Sequence, residues 1–479
     1  MQFPTVAFAI FFLAAFVANW LLRPHPLVWR ATMIAFSLYF CAWVDVRFAL
    51  VVLGVAALGW AAAAAAHRAM PEGDPTPVSR RIVRAAVAAE VAVLAALAYR
   101  GFLVDSVTGA LERLGWSGSE PVVDVVVPVG ISIYVLHAIG YLVDVGRGEV
   151  EPVAFADLLL YLCFFPHLVA GPVVRVDELV PQFHERPDPR RVPATDAFVL
   201  VGSGLVKAVV IAPWLAEELV DPAFAAPAQA SGLELLVAAY GVAVQVYAAF
   251  SGATDIAIGC GLLLGIEYPR AFDAPFAALS VRDFWDRWNL TLSHWLRDYV
   301  YVPLGGSWRG RHLRPRNVMV TMVVGGLWYG AGWNFALWGV VHGVYVIAEQ
   351  AAAARAERRE PTALLPTALT APVHWFVTFH LVCLAFVVYR AGTVGDAVEV
   401  LGRVLTLAPG GAGLVTPLVL AVLAATVASH FVPTEVTYGA RARFSTLAPA
   451  AQVAVLAAGL TLIAALGPDG PLPFGRLPF

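Results

Sequence analysis

Long apolar runs constrain the fold of this chain more than any other feature of its sequence. A helix of about 20 residues is needed to cross roughly 30 Å of bilayer hydrocarbon. Because unpaired backbone groups are costly in hydrocarbon, we interpret such runs as helices. The sequence therefore predicts an all-α, polytopic integral membrane protein with roughly 10–12 transmembrane helices plus re-entrant segments. The runs lie near residues 5–22, 31–47, 48–66, 83–104, 123–143, 198–216, 231–262, 373–392, 413–432 and 449–467.

The composition excludes a water-soluble domain. Of the 479 residues, 60% are hydrophobic and 14% are charged, and the mean hydropathy is +0.75. The first apolar run follows the uncharged segment MQFPTV and lacks a small-residue cleavage site, so we expect a retained span. Residues 1–479 are expected to form a single transmembrane domain whose most motif-rich part is 250–345.

The distribution of arginines predicts the orientation of the chain, because short cytoplasmic loops of membrane proteins collect positive charge. The segments expected in the cytoplasm are 67–84, 266–317, 355–360 and 441–444. The segments expected outside are the acidic connections 105–122 and 217–231. This orientation requires that the apolar run 153–173 enters and leaves the membrane on the same side, or pairs with another segment so that the next loop stays on the expected side. The same holds for the pair 318–328 and 333–347.

The stretch from 318 to 347 is therefore expected to be a broken or re-entrant element. A bilayer tolerates irregular backbone only where it is buried in protein or lines a cavity. Because a cavity is where a site would lie, we expect a central tunnel near residues 284–342.

Several kinds of site are not indicated by the sequence. The cysteines lie inside apolar runs without metal-ligand spacing, so we expect neither a disulfide nor a metal site. The sequence has no nucleotide-binding glycine loop, nucleophile elbow or zinc helix. No bound cofactor and no nucleic-acid partner are expected. The four cysteines are Cys41, Cys163, Cys260 and Cys383.

The segment 281–306 is predicted to be an amphipathic helix along the cytoplasmic interface. At about 100° per residue, its aromatic side chains fall on one half of the helix and its charged side chains on the other. The aromatic side chains, Trp288 among them, are expected to anchor the helix at headgroup depth. Asn289 projects at the boundary between the two halves, so its amide can point into the protein. His294 projects from the polar half towards solvent.

Five blocks of the sequence, taken together, resemble the membrane-bound O-acyltransferase family, in its bacterial branch concerned with alginate O-acetylation and teichoic acid D-alanylation. Five such blocks in family order are specific, whereas any one alone is weak. The blocks are "GISIYVLHAIGYLVDVGRGEVEP" (130–152), "FFPHLVAGPVVRVDEL" (164–179), "FSGATDIAIGCGLLLGIEYPRAFDAPF" (250–276), "FWDRWNLTLSHWLRDYVYVPLGG" (284–306) and "GGLWYGAGWNFALWGVVHG" (325–343).

The resemblance implies a multi-pass enzyme of the bacterial plasma membrane. Such an enzyme takes an acyl group, here expected to be acetyl, from a cytosolic thioester donor such as acetyl-CoA. It delivers the group to a hydroxyl of an exported polysaccharide or another envelope acceptor. An extracytoplasmic acyl-accepting partner protein and membrane lipid are the further partners that the resemblance implies.

The resemblance also assigns the catalytic positions. The family's essential histidine usually stands in a Trp-His-Gly triplet, and the matching residues here are Trp328, Tyr329 and Gly330. A phenol with a reference pKa of about 10 is not a ready base at neutral pH, although it can donate a hydrogen bond. Asn289 matches a second polar position of the family and can orient a hydroxyl or an acyl carbonyl.

His342 matches a further histidine of this branch and is the third predicted catalytic residue. Thirteen residues separate it from Tyr329, which is about 20 Å along a straight helix. It can therefore replace the missing base only if the backbone turns back at Gly330 or Gly332. Three interpretations stay open for His342: packing against a carbonyl or an indole, a catalytic or proton-relay role, and donor binding.

The predicted substrate-binding residues are Trp288, Arg297, Trp328 and His167. Arg297 is expected either to meet a phosphate of the donor or to form a solvated pair with the next residue. His167 is expected either to line the tunnel or to pack with one satisfied hydrogen bond.

Two other classes of function stay open at this level. One is a catalytically silent family member that acts as a scaffold or acyl gate, which the tyrosine at position 329 favours. The other is a transporter, which the lack of internal repeats and of paired intramembrane charges disfavours.

Overall fold

The computed structural model describes residues 5–115, 127–128, 130–307, 310, 312–356 and 367–466. Helices dominate and no strand occurs among these residues, which confirms the all-α prediction. The helices before the longest one are α1 (Val6–Leu22), α2 (Pro26–Ala42), α3 (Val46–Arg68), α4 (Pro77–Leu97), α5 (Arg100–Arg113), α6 (Ile131–Arg147), α7 (Phe155–Cys163), α8 (Phe165–Leu168), α9 (Val176–His184), α10 (Ala194–Leu205), α11 (Ala212–Leu215) and α12 (Asp221–Ala225).

The longest described helix is α13 (Gly232–Leu263). The helices after it are α14 (Val281–Trp285), α15 (Leu290–Leu296), α16 (Arg314–Tyr329), α17 (Trp333–Ala356), α18 (Thr367–Arg390), α19 (Val394–Leu405), α20 (Pro417–Ser429), α21 (Thr434–Ser445) and α22 (Pro449–Leu466). Three segments have π-helical hydrogen bonding, namely Val206–Ile211, Ala216–Val220 and Arg297–Tyr301.

The lengths of the apolar helices confirm a polytopic membrane protein. In the described part of the chain, five helices are long and apolar enough to cross a membrane, namely Val46–Arg68, Ala194–Ala225, Gly232–Leu263, Trp333–Arg355 and Thr370–Arg390. The pair α4 and α5, bent by 77°, supplies a sixth if it crosses as one span. Shorter apolar helices are Val6–Leu22, Pro26–Ala42, Pro417–Ser429 and Ala450–Ile463. The number of 10–12 crossings and the central tunnel stay predictions.

The chain divides into two compact units. One comprises Met1–Ala197 with Ile256–Pro269, and the other comprises Phe198–Asp255 with Arg270–Pro478. In the first unit, Asn19 links neighbouring elements, because its Nδ2 donates to the Leu264 carbonyl (3.2 Å) and its Oδ1 accepts from Trp29 Nε1 (2.8 Å). The second unit holds Asn289, Tyr329 and His342, so it is the unit that bears on catalysis.

The boundary between the second and third helices differs from the predicted runs. The runs 31–47 and 48–66 place it at residue 47, whereas α2 ends at Ala42 and α3 begins at Val46. The reason is local, because the Asp45 carboxylate accepts a hydrogen bond from the Arg47 N–H (2.8 Å) and so caps α3. Hydropathy alone does not register a single capping residue.

The prediction of one continuous helix over 281–306 is wrong, whereas its place at the cytoplasmic interface stays a prediction. The segment is divided into α14, α15 and a π-helical turn, and the break falls at Asn289. Phe284 and the three tryptophans of the segment are buried, since Phe284 and Trp288 are at most 1% exposed, Trp285 is 8% exposed and Trp295 is 9% exposed. A left-handed residue inside the segment rotates the second half, and helical periodicity does not predict such a residue.

Helices α16 and α17 form an antiparallel hairpin whose turn lies at Gly330–Gly332. The backbones approach closely, since a Cβ on Gly326 would lie 2.3 Å from the Phe335 carbonyl oxygen and one on Gly339 would lie 2.4 Å from that of Met322. The chain therefore turns back at the position that bringing His342 towards Tyr329 requires. Trp333–Arg355 within α17 is itself long enough to span, so this half of the predicted broken element is a full-length helix.

The hairpin generates a stability prediction. Gly326→Ala should lower the thermal unfolding temperature in detergent, because overpacking a close contact costs about 1–3 kcal/mol. Gly402→Ala is the matched control, since a Cβ there meets nothing within 4 Å and alanine is the better helix former. Equal unfolding temperatures for Gly326→Ala and the wild type would contradict this packing.

The orientation also has a direct test, although parts of the connections 105–122 and 355–360 lie outside the described residues. Asp74 and Ala228 are exposed in the connections 67–84 and 217–231. A membrane-impermeant maleimide should label Asp74→Cys only from the cytoplasm and Ala228→Cys only from outside. The four native cysteines are buried thiols, so the background should be low. Labelling of Ala228→Cys from the cytoplasm would reverse the orientation.

Candidate active site

A backbone break between α14 and α15 positions the first two polar side chains. Asn289 has φ 42° and ψ 58°, a left-handed conformation that asparagine adopts more readily than most residues. Two backbone hydrogen bonds fix the break, from Leu290 N–H to the Ala271 carbonyl (2.7 Å) and from Asp273 N–H to the Arg287 carbonyl (3.0 Å). The break directs the side chains on either side of it to one common partner.

That partner is Tyr329, the last residue of α16. Its hydroxyl oxygen accepts hydrogen bonds from Trp288 Nε1 (2.8 Å) and Asn289 Nδ2 (3.1 Å). Tyr329 and Trp288 are fully buried and Asn289 is nearly so. We call these three residues the phenol cluster. Because a phenol oxygen has two lone pairs, both are engaged and the O–H group remains to donate.

The phenol cluster can stabilise an oxygen that gains negative charge. Donors that bond to a hydroxyl oxygen polarise its O–H bond and make it a better donor. A donor held in surroundings of low dielectric is the arrangement that stabilises the oxyanion of acyl transfer. With both lone pairs engaged, the same hydroxyl is not placed to accept a proton. The geometry therefore suits an acyl carbonyl oxygen.

Aromatic rings surround the phenol cluster and keep it dry. The ring centroid of Tyr329 lies 5.0 Å from that of Trp328, 5.3 Å from those of Phe250 and Trp338, and 6.4 Å from that of Tyr389. Exclusion of water protects a thioester from hydrolysis and strengthens every hydrogen bond inside the site.

His342 lies beyond the Trp338 ring from Tyr329. The Trp338 ring centroid is 4.7 Å from that of His342 and 5.3 Å from that of Tyr329. Trp285 Nε1 donates to His342 Nδ1 (3.3 Å), which is the contact with an indole that the packing interpretation describes. A neutral imidazole that accepts at Nδ1 carries its proton on Nε2. In this arrangement His342 has no free lone pair, so its role as a base stays a prediction that requires the Trp285 bond to break.

The remaining predicted substrate residues are distributed over both units. Trp328 packs perpendicular to Tyr329, and its buried Nε1 has no hydrogen-bond partner among the described residues. Arg297 is exposed and forms a two-pronged pair with Asp298 (2.7 and 3.2 Å), so its guanidinium is not part of the phenol cluster. His167 is fully buried in the first unit, where its Nδ1 lies 3.2 Å from Tyr268 Oη.

Two further groups of the second unit were not predicted from the sequence. Trp285 is one, because its bond to His342 becomes visible only in three dimensions. The other comprises Lys207 and His430, which both lie beside the Tyr247 ring. A signal for Lys207 was present, since it is the only lysine among the 31 lysines and arginines of the chain. His430 carries no comparable signal.

No group of three or more histidine, cysteine, aspartate or glutamate side chains that could hold a metal ion occurs in the described ranges. Acyl transfer to a hydroxyl needs a proton acceptor, stabilisation of an oxyanion and exclusion of water. The phenol cluster and its aromatic surroundings supply the last two of these.

The fold and the site together define an integral membrane protein. Its buried site holds a hydroxyl group, shielded from water, that can donate a hydrogen bond to an oxygen gaining negative charge. Over residues 123–390 the chain matches the family described as MBOAT, membrane-bound O-acyltransferase family. The chain belongs to this family, and it is a membrane O-acyltransferase.

Several curated relatives are similar to this chain over most of their length. The probable alginate O-acetylase of Pseudomonas aeruginosa is 33% identical over 399 residues, which cover 82% of this chain and 72% of the relative. The peptidoglycan O-acetyltransferase of Helicobacter pylori is 29% identical over 433 residues, covering 84% and 79%. The teichoic acid D-alanyltransferase of Streptococcus thermophilus is 26% identical over 293 residues, covering 56% and 69%.

The hydrogen bonds of the phenol cluster are expected to stabilise the fold. Removing only the Tyr329 hydroxyl tests their contribution while the aromatic ring stays packed. Tyr329→Phe should lower the unfolding temperature, because it leaves two buried N–H donors unpaired at about 1–3 kcal/mol each. Tyr389→Phe is the matched control, since its buried hydroxyl has no partner among the described residues and its loss should be neutral or stabilising. If both variants unfold together with the wild type, the two bonds to Tyr329 do not contribute to stability.

Proposed function

We propose that this chain transfers an acetyl group from acetyl-CoA, or from another cytosolic acyl thioester, to a hydroxyl of an exported polysaccharide or another envelope acceptor. The bacterial plasma membrane is the proposed location. The phenol cluster carries the proposal, because it holds a polarised hydroxyl donor in a dry shell. The names of the relatives, two O-acetylating and one D-alanylating, support the class of acceptor.

The acyl group is proposed to be acetyl. The alginate and peptidoglycan relatives share 33% and 29% identity over more than four fifths of this chain, whereas the D-alanylating relative shares 26% over 56% of it. The longer and closer matches are therefore with proteins named for O-acetylation. An extracytoplasmic acyl-accepting protein is the proposed partner for the last transfer to the polymer.

In the proposed reaction, the acceptor oxygen attacks the thioester carbonyl carbon and the carbon–sulfur bond breaks. The Tyr329 hydroxyl donates to the carbonyl oxygen as it becomes an oxyanion, while Trp288 and Asn289 hold the phenol in place. The coenzyme A thiolate leaves and takes up a proton from the cytosolic side. The proton of the acceptor hydroxyl goes to a base, which the phenol cluster does not contain.

The other predicted residues have supporting roles in this scheme. His342 holds the Trp285 indole and so fixes the aromatic wall beside the cluster. Trp328 is proposed to line the substrate path in the second unit, and substrate binding by His167 in the first unit stays a prediction. Arg297 is proposed to bind a donor phosphate, for which it must exchange its partner Asp298.

Substitution of Asn289 tests the proposal, because it removes one of the two hydrogen bonds to the Tyr329 oxygen. Full-length protein in lipid nanodiscs is given labelled acetyl-CoA with alginate or peptidoglycan fragments, and transfer and hydrolysis are both measured. Asn289→Gly should lower kcat by about 10²-fold, because one oriented donor of the cluster is lost. Glycine accommodates the left-handed backbone, so this variant separates the amide from backbone strain.

Two controls complete the experiment. Asn289→Ala loses the same amide but strains the backbone, so equal loss of kcat in both variants assigns the effect to the amide. His294→Ala, at an exposed neighbouring position, should keep full activity. No turnover of any acyl-CoA by the wild type would contradict the proposal and favour the scaffold alternative. Passage of labelled solute without acyl transfer would favour a transporter.

A further inference from the structure

The proposed reaction requires a proton acceptor, and neither the Tyr329 oxygen nor His342 Nδ1 presents a free lone pair. The Tyr329 oxygen accepts two hydrogen bonds, and His342 Nδ1 accepts one from Trp285. Histidine is the side chain best suited to accept a proton near neutral pH. A suitable histidine must present a free nitrogen lone pair, so the tautomer of each buried histidine described in the second unit, His342 and His430, decides the question.

His430, directly after α20, has that tautomer. Its Nδ1 lies 2.9 Å from the Thr426 carbonyl oxygen. Because a carbonyl oxygen only accepts, Nδ1 carries the proton and the lone pair of the neutral ring lies on Nε2. Nε2 is buried and has no hydrogen-bond partner among the described residues. A buried nitrogen without a partner calls for an explanation, and an incoming hydroxyl provides one.

The aromatic rings that flank His430 also flank the phenol cluster. The His430 ring centroid lies 4.7 Å from that of Tyr247 and 5.0 Å from that of Phe276. The same two rings lie 6.3 and 6.5 Å from the ring of Trp288, which donates to Tyr329. His430 is therefore one ring away from the donor that stabilises the oxyanion, and both lie in the same unit.

The only lysine of the chain, Lys207, also lies beside Tyr247. Lys207 Nζ lies 5.6 Å from the centroid of the Tyr247 ring, and it donates to Ser251 Oγ and Asp255 Oδ2, each at 2.6 Å. Ionisable groups within membrane helices are costly and mark functional sites. Lys207 forms an ion pair with Asp255, which balances its charge beside the Tyr247 ring.

We propose that His430 is the general base of the acyl transfer and that it takes the proton of the acceptor hydroxyl on Nε2. This proposal rests on the proposed function. The acceptor oxygen forms its bond to the carbonyl carbon while its hydrogen moves to Nε2, and the imidazolium keeps its Nδ1–H bond to Thr426. The thiolate of coenzyme A leaves with the electron pair of the carbon–sulfur bond. The ring then returns its proton to the solvent before the next turnover.

The test compares two substitutions at His430 in the full-length protein. Asn can keep the bond to the Thr426 carbonyl, because its amide nitrogen overlays Nδ1, but it has no atom at Nε2. Gln places an amide at the Nε2 position, which can accept a hydrogen bond but not a proton. Both variants should lower kcat for acetyl-CoA by about 10²-fold or more and leave KM for acetyl-CoA within about threefold.

The pH profile separates a base from a packing residue. Activity of the wild type should fall as the pH is lowered through the pKa of the imidazole, because the protonated ring has no free lone pair. The residual activity of His430→Gln should lose this acidic limb. The matched control is His380→Asn, since His380 forms the same bond to the carbonyl four residues earlier (2.7 Å) but is only partly buried. It should keep wild-type activity and the acidic limb.

The outcomes distinguish this proposal from the proposed function. If the wild type turns over acetyl-CoA and His430→Gln keeps more than half of kcat with the same acidic limb, His430 is not the base and the proposed function stands. If the wild type turns over no acyl thioester, the proposed function fails and the base assignment fails with it. Loss of kcat with loss of the acidic limb, in folded protein that elutes as the wild type does, supports the proposal.

Discussion

Two N–H groups that meet on one phenol oxygen are the interaction on which the site depends. The indole of Trp288 and the amide of Asn289 come from consecutive residues, and consecutive residues of a helix point about 100° apart. They converge on Tyr329 only because the backbone breaks at Asn289 in a left-handed conformation. The hairpin turn after Tyr329 brings α17 back and places Trp338 against the Tyr329 ring and His342 against the Trp338 ring.

This interaction also separates two tasks that a histidine at position 329 could combine. An imidazole can accept a proton and, once protonated, donate to a developing oxyanion. The phenol here has both lone pairs engaged, so it is restricted to donating. In the proposed scheme the proton acceptor consequently lies on another element, and the attacking hydroxyl must sit between the Tyr329 hydroxyl and His430 Nε2. Such a division would make the position of the acceptor more demanding than in relatives with the histidine.

The parts of this arrangement that the sequence predicts are those with a long-range signal. Apolar runs predict helices, and the glycines at 330 and 332 mark where a chain can turn back on itself. The break at Asn289 is not predictable in the same way, because the residue has to be seen in its left-handed conformation with its flanking bonds to Ala271 and Asp273 in place. The tautomer of His430 depends on a carbonyl one helical turn away, and its position depends on packing between distant segments. Neither leaves a pattern in the chain.

The contacts of Lys207 explain why the only lysine of the chain stands at this position. Of the 31 lysines and arginines of the chain, all but Lys207 are arginine, so positive charge alone does not explain a lysine at this position. The ammonium is compact, so it can bond Ser251 and Asp255 at 2.6 Å each within helix α13 and its π-helical neighbour, whereas a planar guanidinium needs more room. Because the pair is neutral overall, it sets a dipole beside Tyr247 without an uncompensated cation. An uncompensated cation there would oppose the imidazolium that His430 is proposed to become, so the charge balance at Lys207 and Asp255 is what permits a base at this depth.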